Sequence, residues 1–295
     1  MQTLILEGKI IAKTPISHNG GEKNGNVVLF RRQGVIQPNG ESIDVPIVSG
    51  NAMRGALRDV SAKYTLNLLG ENDKPHAVEL PIFQLLFSGG ALTQGSTEGD
   101  VDKYRNIREN LAHVSLFGGA WGNAILQGKM KMNPLIPISQ ETACIIPEKY
   151  HFENMPSIYT YVELNMNTTK EDSINPNNQQ YIERKKGEVF NSRQMIYYAE
   201  QLKAGTPFYW KVVLEDVTPE EFDFFVSMLN QFKQVPTIGG KSRIGDGQID
   251  IIADEWIDIT KCGEVVTVEN GTTESIYEKK VTANKEGIRK FLKTI

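Results

Sequence analysis

His18 is the residue whose type and setting point most directly to acid–base chemistry. It lies in PISHNGGEKNGN, a polar, glycine-rich run. There an imidazole could take a proton from a reacting hydroxyl, or simply contact backbone or RNA. No serine–acid constellation surrounds it. Two other segments carry the chemistry of anion binding. SGNAMRGALR opens with Ser49 ahead of small residues, where the free N–H groups of a helix start favour a phosphate. Arg54 and Arg58 stand one turn apart in it and can reach the same strip of backbone. IGGKSRIGDG sets Lys241, Ser242 and Arg243 on a glycine loop that a sugar–phosphate chain can approach closely. Taken singly, that loop reads as a tight turn with exposed charges. The acids of GDGQID read as a solvated strand edge. Metal binding fails on spacing, because His18, His76, His113 and His151 are isolated and neither Cys144 nor Cys262 has a second ligand nearby. No GxxxxGK phosphate loop occurs either, and no cofactor is expected.

Periodicity and punctuation give the elements that must hold these groups. LILEGKIIAK places Leu4, Leu6 and Ile10 among polar partners, an opening strand. Residues 17–26 are rich in glycine and asparagine and read as a loop. VVLFRR is a short strand ending in Arg31 and Arg32. After QPNGES and IDVPIV, Ser49 caps a helix running through SGNAMRGALRDVSAKYTLNLL, with Ala52, Ala56 and Leu57 among its buried positions. LPIFQLLF predicts a short buried helix, and RNIRENLAHVSLFG a single helix stopped by Gly118 and Gly119. AILQGKMKMNPLIPI predicts one long alternating strand with a bulge at Gly128. Residues 139–192, polar and carrying the basic cluster Arg184, Lys185 and Lys186, are too long for an ordinary loop. They are an excursion that contacts something or a partly ordered insertion. PFYWKVVLED returns to strand. TPEEFDFFVSMLNQF is the best helix in the chain, with Thr218 as cap, Pro219 at its first position and acids in its first turn. VPTIGGKSRIGDGQIDII is a glycine-rich loop running into a strand. Strand, helix, strand, strand, helix, strand is the order of a ferredoxin-like fold, so the expected class is α+β, an antiparallel sheet with helices on one face.

Composition narrows the class of protein. Of 295 residues, 40% are hydrophobic and 23% charged, which excludes a collagen, a coiled-coil rod and a wholly disordered chain. No run approaches the roughly 18–20 apolar residues of a membrane span. The start, MQTLILEGKI, lacks the pattern of a secretory signal, and two distant cysteines predict a reducing, cytoplasmic setting. A net charge of −4 argues at first against nucleic acid. Its distribution argues otherwise: residues 1–70 balance at +3, 71–213 at −2, 214–279 at −9 and the last sixteen at +4. A basic face built from the N-terminal part is therefore available.

Taken together, the segments resemble the RAMP superfamily of CRISPR-associated proteins. Its pattern of a glycine loop, a proline and a serine–glycine helix start is matched by VPIVSGNAMRGALR, Pro46 to Arg58. Its Leu-Phe-Gly element is matched by Leu116, Phe117 and Gly118, and its late glycine- and arginine-rich loop by Ile238 to Gly247. PISHNGGEKNGN, LFRRQGV and VPIVSGNAMRGALRD are most similar to backbone subunits of the type IV branch. The resemblance implies a single RNA-recognition-like palm over residues 1–295, with a helical insertion at 70–120 and a protruding β-hairpin thumb at 139–192. It also implies a non-catalytic subunit that binds guide RNA (crRNA) in multiple head-to-tail copies. Its partners would be target nucleic acid, DNA or RNA, and other CRISPR effector subunits, with no membrane.

The RNA-binding residues implied are His18, Asn19, Lys23, Asn26, Arg31 and Arg32, then Ser49, Asn51, Arg54 and Arg58. Arg184, Lys185 and Lys186 are expected from the thumb, and Lys241, Ser242 and Arg243 from the last loop, facing the guide together with Arg54 and Arg58. Type III relatives slice target RNA with an aspartate before the serine–glycine helix. Between Gly20 and Arg32 this chain has Glu22 but no aspartate, and Asn26 stands near the expected place. A neutral amide cannot supply the charge of a metal-binding carboxylate. The alternative is a RAMP-type endoribonuclease that processes precursor RNA with His18 as general base.

Overall fold

The computed structural model describes residues 1–71, 78–92, 101–168, 196–261, 264–266 and 275–293. β1 (Gln2–Ala12) is followed by two hairpins, β2 (Asn19–Asn24) with β3 (Val27–Phe30) and β4 (Arg32–Ile36) with β5 (Ser42–Pro46). Next come α1 (Gly50–Leu68), α2 (Leu80–Ser88), β6 (Gly90–Leu92), α3 (Val101–Asn110) and α4 (Ala112–Phe117). The short strands β7 (Gly119–Gly122), β8 (Ala124–Leu126), β9 (Met130–Met132) and β10 (Ile136–Pro137) precede an irregular stretch of 3-10 turns. β11 (Val162–Thr168) and β12 (Ile196–Leu202) pair antiparallel. The chain continues through β13 (Pro207–Val217), α5 (Pro219–Phe232), β14 (Ile249–Asp258), β15 (Glu264–Val266), α6 (Ile276–Ala283) and α7 (Lys285–Leu292).

Alternation in β1 sends Leu4, Leu6, Ile10 and Ala12 to one face, all buried. β1 is the middle of the main sheet, ordered β10-β13-β1-β14-β15, with β9 also on β13. Every described pairing within it is antiparallel. Met53 and Leu57 of α1 and Phe224 and Phe225 of α5 join Leu4, Leu6 and Trp210 in one apolar core, which places both helices on that face. The opposite face is covered in part by the irregular stretch, where Ile138, Ile146 and Tyr150 pack on Ile136 and Tyr209. There Glu7, 8% exposed, accepts from the Tyr209 hydroxyl at 3.2 Å and faces the ammoniums of Lys211 and Lys149 at 3.3 and 3.4 Å.

α5 starts where its sequence says it should. Thr218 and Glu221 form a reciprocal capping box, Thr218 N–H to Glu221 Oε2 at 2.8 Å and Glu221 N–H to Thr218 Oγ1 at 3.3 Å, with Pro219 in the first turn. Glu221 also takes the ammonium of Lys129 at 2.6 Å and the hydroxyl of Ser115, so the cap anchors α5 to α4 and to the bend that leads into β9.

Several sequence expectations give way. Asn19–Asn24, read as loop, is an exposed strand, because β3 supplies a neighbour that overrides its turn-like composition. The predicted helix over 105–117 is two, α3 and α4, broken at Leu111 (φ −124, ψ 76) with no glycine or proline to announce it. α2 is buried on one side only, with Leu80 and Phe83 exposed. The long strand predicted from Ala124 to Ile138 is three pieces on two sheets. Gly128 marks no bulge within it: a Cβ there would collide with the backbone of Leu116 and Phe117. Of residues 139–192, the expected thumb, the described part is a stretch of 3-10 turns followed by β11, whose partner β12 lies beyond that range.

Candidate nucleic-acid interface

The four-stranded sheet, ordered β11-β12-β3-β2, brings together parts of the chain far apart in sequence. Its central pairing, β12 on β3, is parallel, Tyr198 opposite Val27 and Ala199 opposite Val28. Glu200 secures that joint. It accepts the Phe30 N–H at 3.0 Å and both contacts from Arg32 Nη2 at 3.0 Å. Arg32 is therefore held by protein, whereas Arg31 beside it is exposed, with its backbone N–H on His18 O at 2.8 Å. Lys23 and Asn26 are exposed on the outer hairpin.

His18 enters this sheet beside the start of α1. Its Nε2 accepts the Ser49 backbone N–H at 3.2 Å, so the neutral ring carries its proton on Nδ1. Phe30 meets it edge-on at 6.0 Å between centroids. Burial, and then the Arg31 charge, hold its pKa below the ordinary histidine value. Ser49 in turn caps α1 by accepting the Ala52 N–H at 3.3 Å, and Asn51 is exposed in the first turn. A Cβ at Gly50 would strike Met132 O, which explains a glycine at that helix start.

The glycine-rich loop folds back on the same strand. Gly240 N–H donates to Ser17 O at 2.7 Å and Gly247 N–H to Pro15 O at 2.8 Å. Gly239 has φ +78, and a Cβ on it would collide with Ser17 O, so no other residue fits. Lys241 adopts φ 61, a left-handed conformation uncommon outside glycine. Its ammonium reaches Asn167 Oδ1 at 2.6 Å and lies 5.8 Å from the centre of the Tyr197 ring. Ser242 and Arg243 are exposed on the turn that follows. His18, Ser49 and Lys241 are thus linked through the one backbone segment Ser17–His18.

Arg54 and Arg58 are engaged elsewhere. Both donate to Phe117 O, Arg58 at 2.8 Å, and Arg58 also approaches Gly118 O at 3.4 Å and lies 5.4 Å from the centre of the Phe117 ring. They satisfy carbonyls at the C-terminal end of α4, where positive charge is favoured. Burial lowers both pKa values, and Arg54 adds repulsion at Arg58. No hydrogen bond among the described residues joins them to Lys241 or Arg243. Arg184, Lys185 and Lys186 lie outside the described residues, as do His76 and Cys262. His113 is fully buried between the Ser61 hydroxyl and Leu86 O, and burial drives its pKa down to about 3. His151 sits on Ile146 O at 3.1 Å. Among the described residues no three histidine, cysteine or acidic side chains gather as metal ligands, and no helix is long and apolar enough to cross a membrane.

Sequence reasoning missed Ser17, Asn167, Tyr197, Glu200 and Gln201. Only the exposed partners had a local signal, since polar residues inside strands look like solvated positions until the opposing segment is known.

The chain matches no family model and no curated protein. Among solved structures it is similar to a chain described as "Type IV-B CRISPR Complex", with a TM-score of 0.63 and 20% identity over 95% of this chain and 99% of that one. The two therefore share an α+β fold from end to end.

Proposed function

We propose that this chain is a CRISPR effector subunit that binds guide RNA in head-to-tail copies without cleaving it. The carrying observation is the end-to-end likeness to a chain of the Type IV-B complex, which leaves no large part of either fold unmatched. On this reading β1, α1, β9, β13, α5 and β14 are a ferredoxin-like palm, and β11 with β12 the base of the thumb. The guide runs past His18, the start of α1 and the Lys241–Arg243 turn, where exposed basic groups and close-approaching glycine backbone meet. Non-cleavage is supported at His18, whose Nε2 lone pair is already taken by Ser49 N–H and so is not free to accept a proton.

Copurification from cells, followed by sequencing of the bound RNA and a mass measurement, tests the assignment. Many copies per RNA are expected, and one copy per stem-loop would favour the processing nuclease. In vitro, affinity should fall steeply with salt and vary little among RNAs of equal length. Labelled precursor and target RNA should stay intact with and without Mg²⁺. A product that disappears with His18→Ala would establish the alternative.

A further inference from the structure

Gln201 is fully buried near the end of β12, and its amide head bonds to three separate segments. Its Nε2 donates to Ser17 Oγ at 2.5 Å and to Asp246 Oδ2 at 2.8 Å, while its Oε1 accepts from Asn165 Nδ2 at 2.9 Å. Ser17 precedes His18 and is 3% exposed. Asp246 belongs to the glycine loop that carries Lys241 and Arg243. Asn165 lies on β11, two residues before the Asn167 that holds the Lys241 ammonium. Backbone bonds follow the same seam, Ile16 with Leu202 and Ser17 with Gly240. A carboxamide is the one uncharged side chain that can give two hydrogen bonds and accept another from a single planar head.

We infer that Gln201 is the positioning residue of the RNA strip. It sets the β11–β12 hairpin, the glycine loop and the His18 segment in one register, so that their exposed groups meet one strand of RNA. This rests on the RNA-binding reading above, but neither the likeness nor the exposed charges imply it. Gln201 itself touches no RNA, and its effect is transmitted through Ser17, Asp246 and Asn165.

The chemistry allows a reversal. Gln201→Glu turns the donor toward Asp246 into a second carboxylate, so that at neutral pH two like charges face each other across a part-buried contact. Adding Asp246→Asn restores a donor opposite an acceptor and leaves the net charge of the pair as it was. The experiment measures fluorescence anisotropy of a labelled mixed-sequence single-stranded RNA at fixed salt. It uses the natural chain, Gln201→Glu and Gln201→Glu/Asp246→Asn, with a melting curve for each. Gln201→Glu should bind about tenfold more weakly at neutral pH while still folded. The deficit relative to the natural chain should close as the pH falls and the two carboxyls share a proton. The double variant should return to within about threefold of the natural chain, as coupling between contacting residues requires. A folded Gln201→Glu that binds like the natural chain at every pH overturns the inference. So does a folded double variant as weak as the single one. If Gln201→Glu does not fold, the double variant decides alone by the same comparison. A natural chain that does not bind this RNA overturns the RNA reading itself, and the inference with it.

Discussion

His18 presents a lone pair to a backbone N–H, and this arrangement has a defined pH response. Its folded pKa lies below the unfolded one, so the unfolded chain binds the proton first as the medium turns acid. The stability it contributes is complete above the ordinary histidine value of about 6.5 and is lost as pH falls through the lower folded value. His18→Ala should cost about 1 kcal/mol at neutral pH, the scale of one hydrogen bond. The difference from the natural chain should shrink toward acid, and denaturant titrations of both proteins across that window measure it. A difference that grows in acid would mean that the ring is protonated when folded, contrary to its contact with Ser49. His18 and Ser49 were legible because a polar residue beside a glycine run and a serine before small residues are local signals. Gln201 was not, because its three partners converge only after β11, the glycine loop and the segment between β1 and β2 are assembled.

At the level of elements, legibility tracked how locally each was specified. α5 carries its own start in Thr218, Pro219 and Glu221, and α1 has Ser49, so both appeared where expected. The β2 strand has no β-like composition and exists through its neighbour. The break at Leu111 comes from packing: Ile107, Leu111 and the whole of α4 are buried, and α4 must turn to present its last carbonyls to Arg54 and Arg58. Those arginines share one acceptor, so either can partly replace the other. Arg54→Ala or Arg58→Ala alone should therefore cost less than about 1 kcal/mol, because Phe117 O keeps a donor and the two guanidiniums stop repelling each other. The double substitution leaves that buried carbonyl bare and should cost about 2 kcal/mol, more than the sum. Equilibrium unfolding of the four proteins gives the cycle directly. Strict additivity would show that the two arginines act on α4 independently.

For the molecule as a whole, the hairpin supplies a clean cut for testing assembly. Thr168 and Ile196 are register partners, so a two-residue Asn-Gly turn can join them in place of residues 169–195 and keep β11 paired with β12. The shortened chain should fold and bind a short RNA but form no long assemblies. Sizing by light scattering on a long RNA reads this out, and assemblies of natural length would place the contact between copies elsewhere. The ordering of the main sheet carries a different consequence, for how the chain is made. β1 leaves the ribosome before every other described strand, yet its neighbours are Pro207–Val217 and Ile249–Asp258. Until those strands are made, neither edge of β1 is paired, and the first hairpin waits equally for Tyr198 and Ala199. Pairings this distant in sequence form slowly and leave strand edges exposed in the meantime. The nascent chain must therefore be kept from aggregating until β13 and β14 have emerged, and truncation before Ile249 would leave β1 as an open edge in an otherwise folded protein.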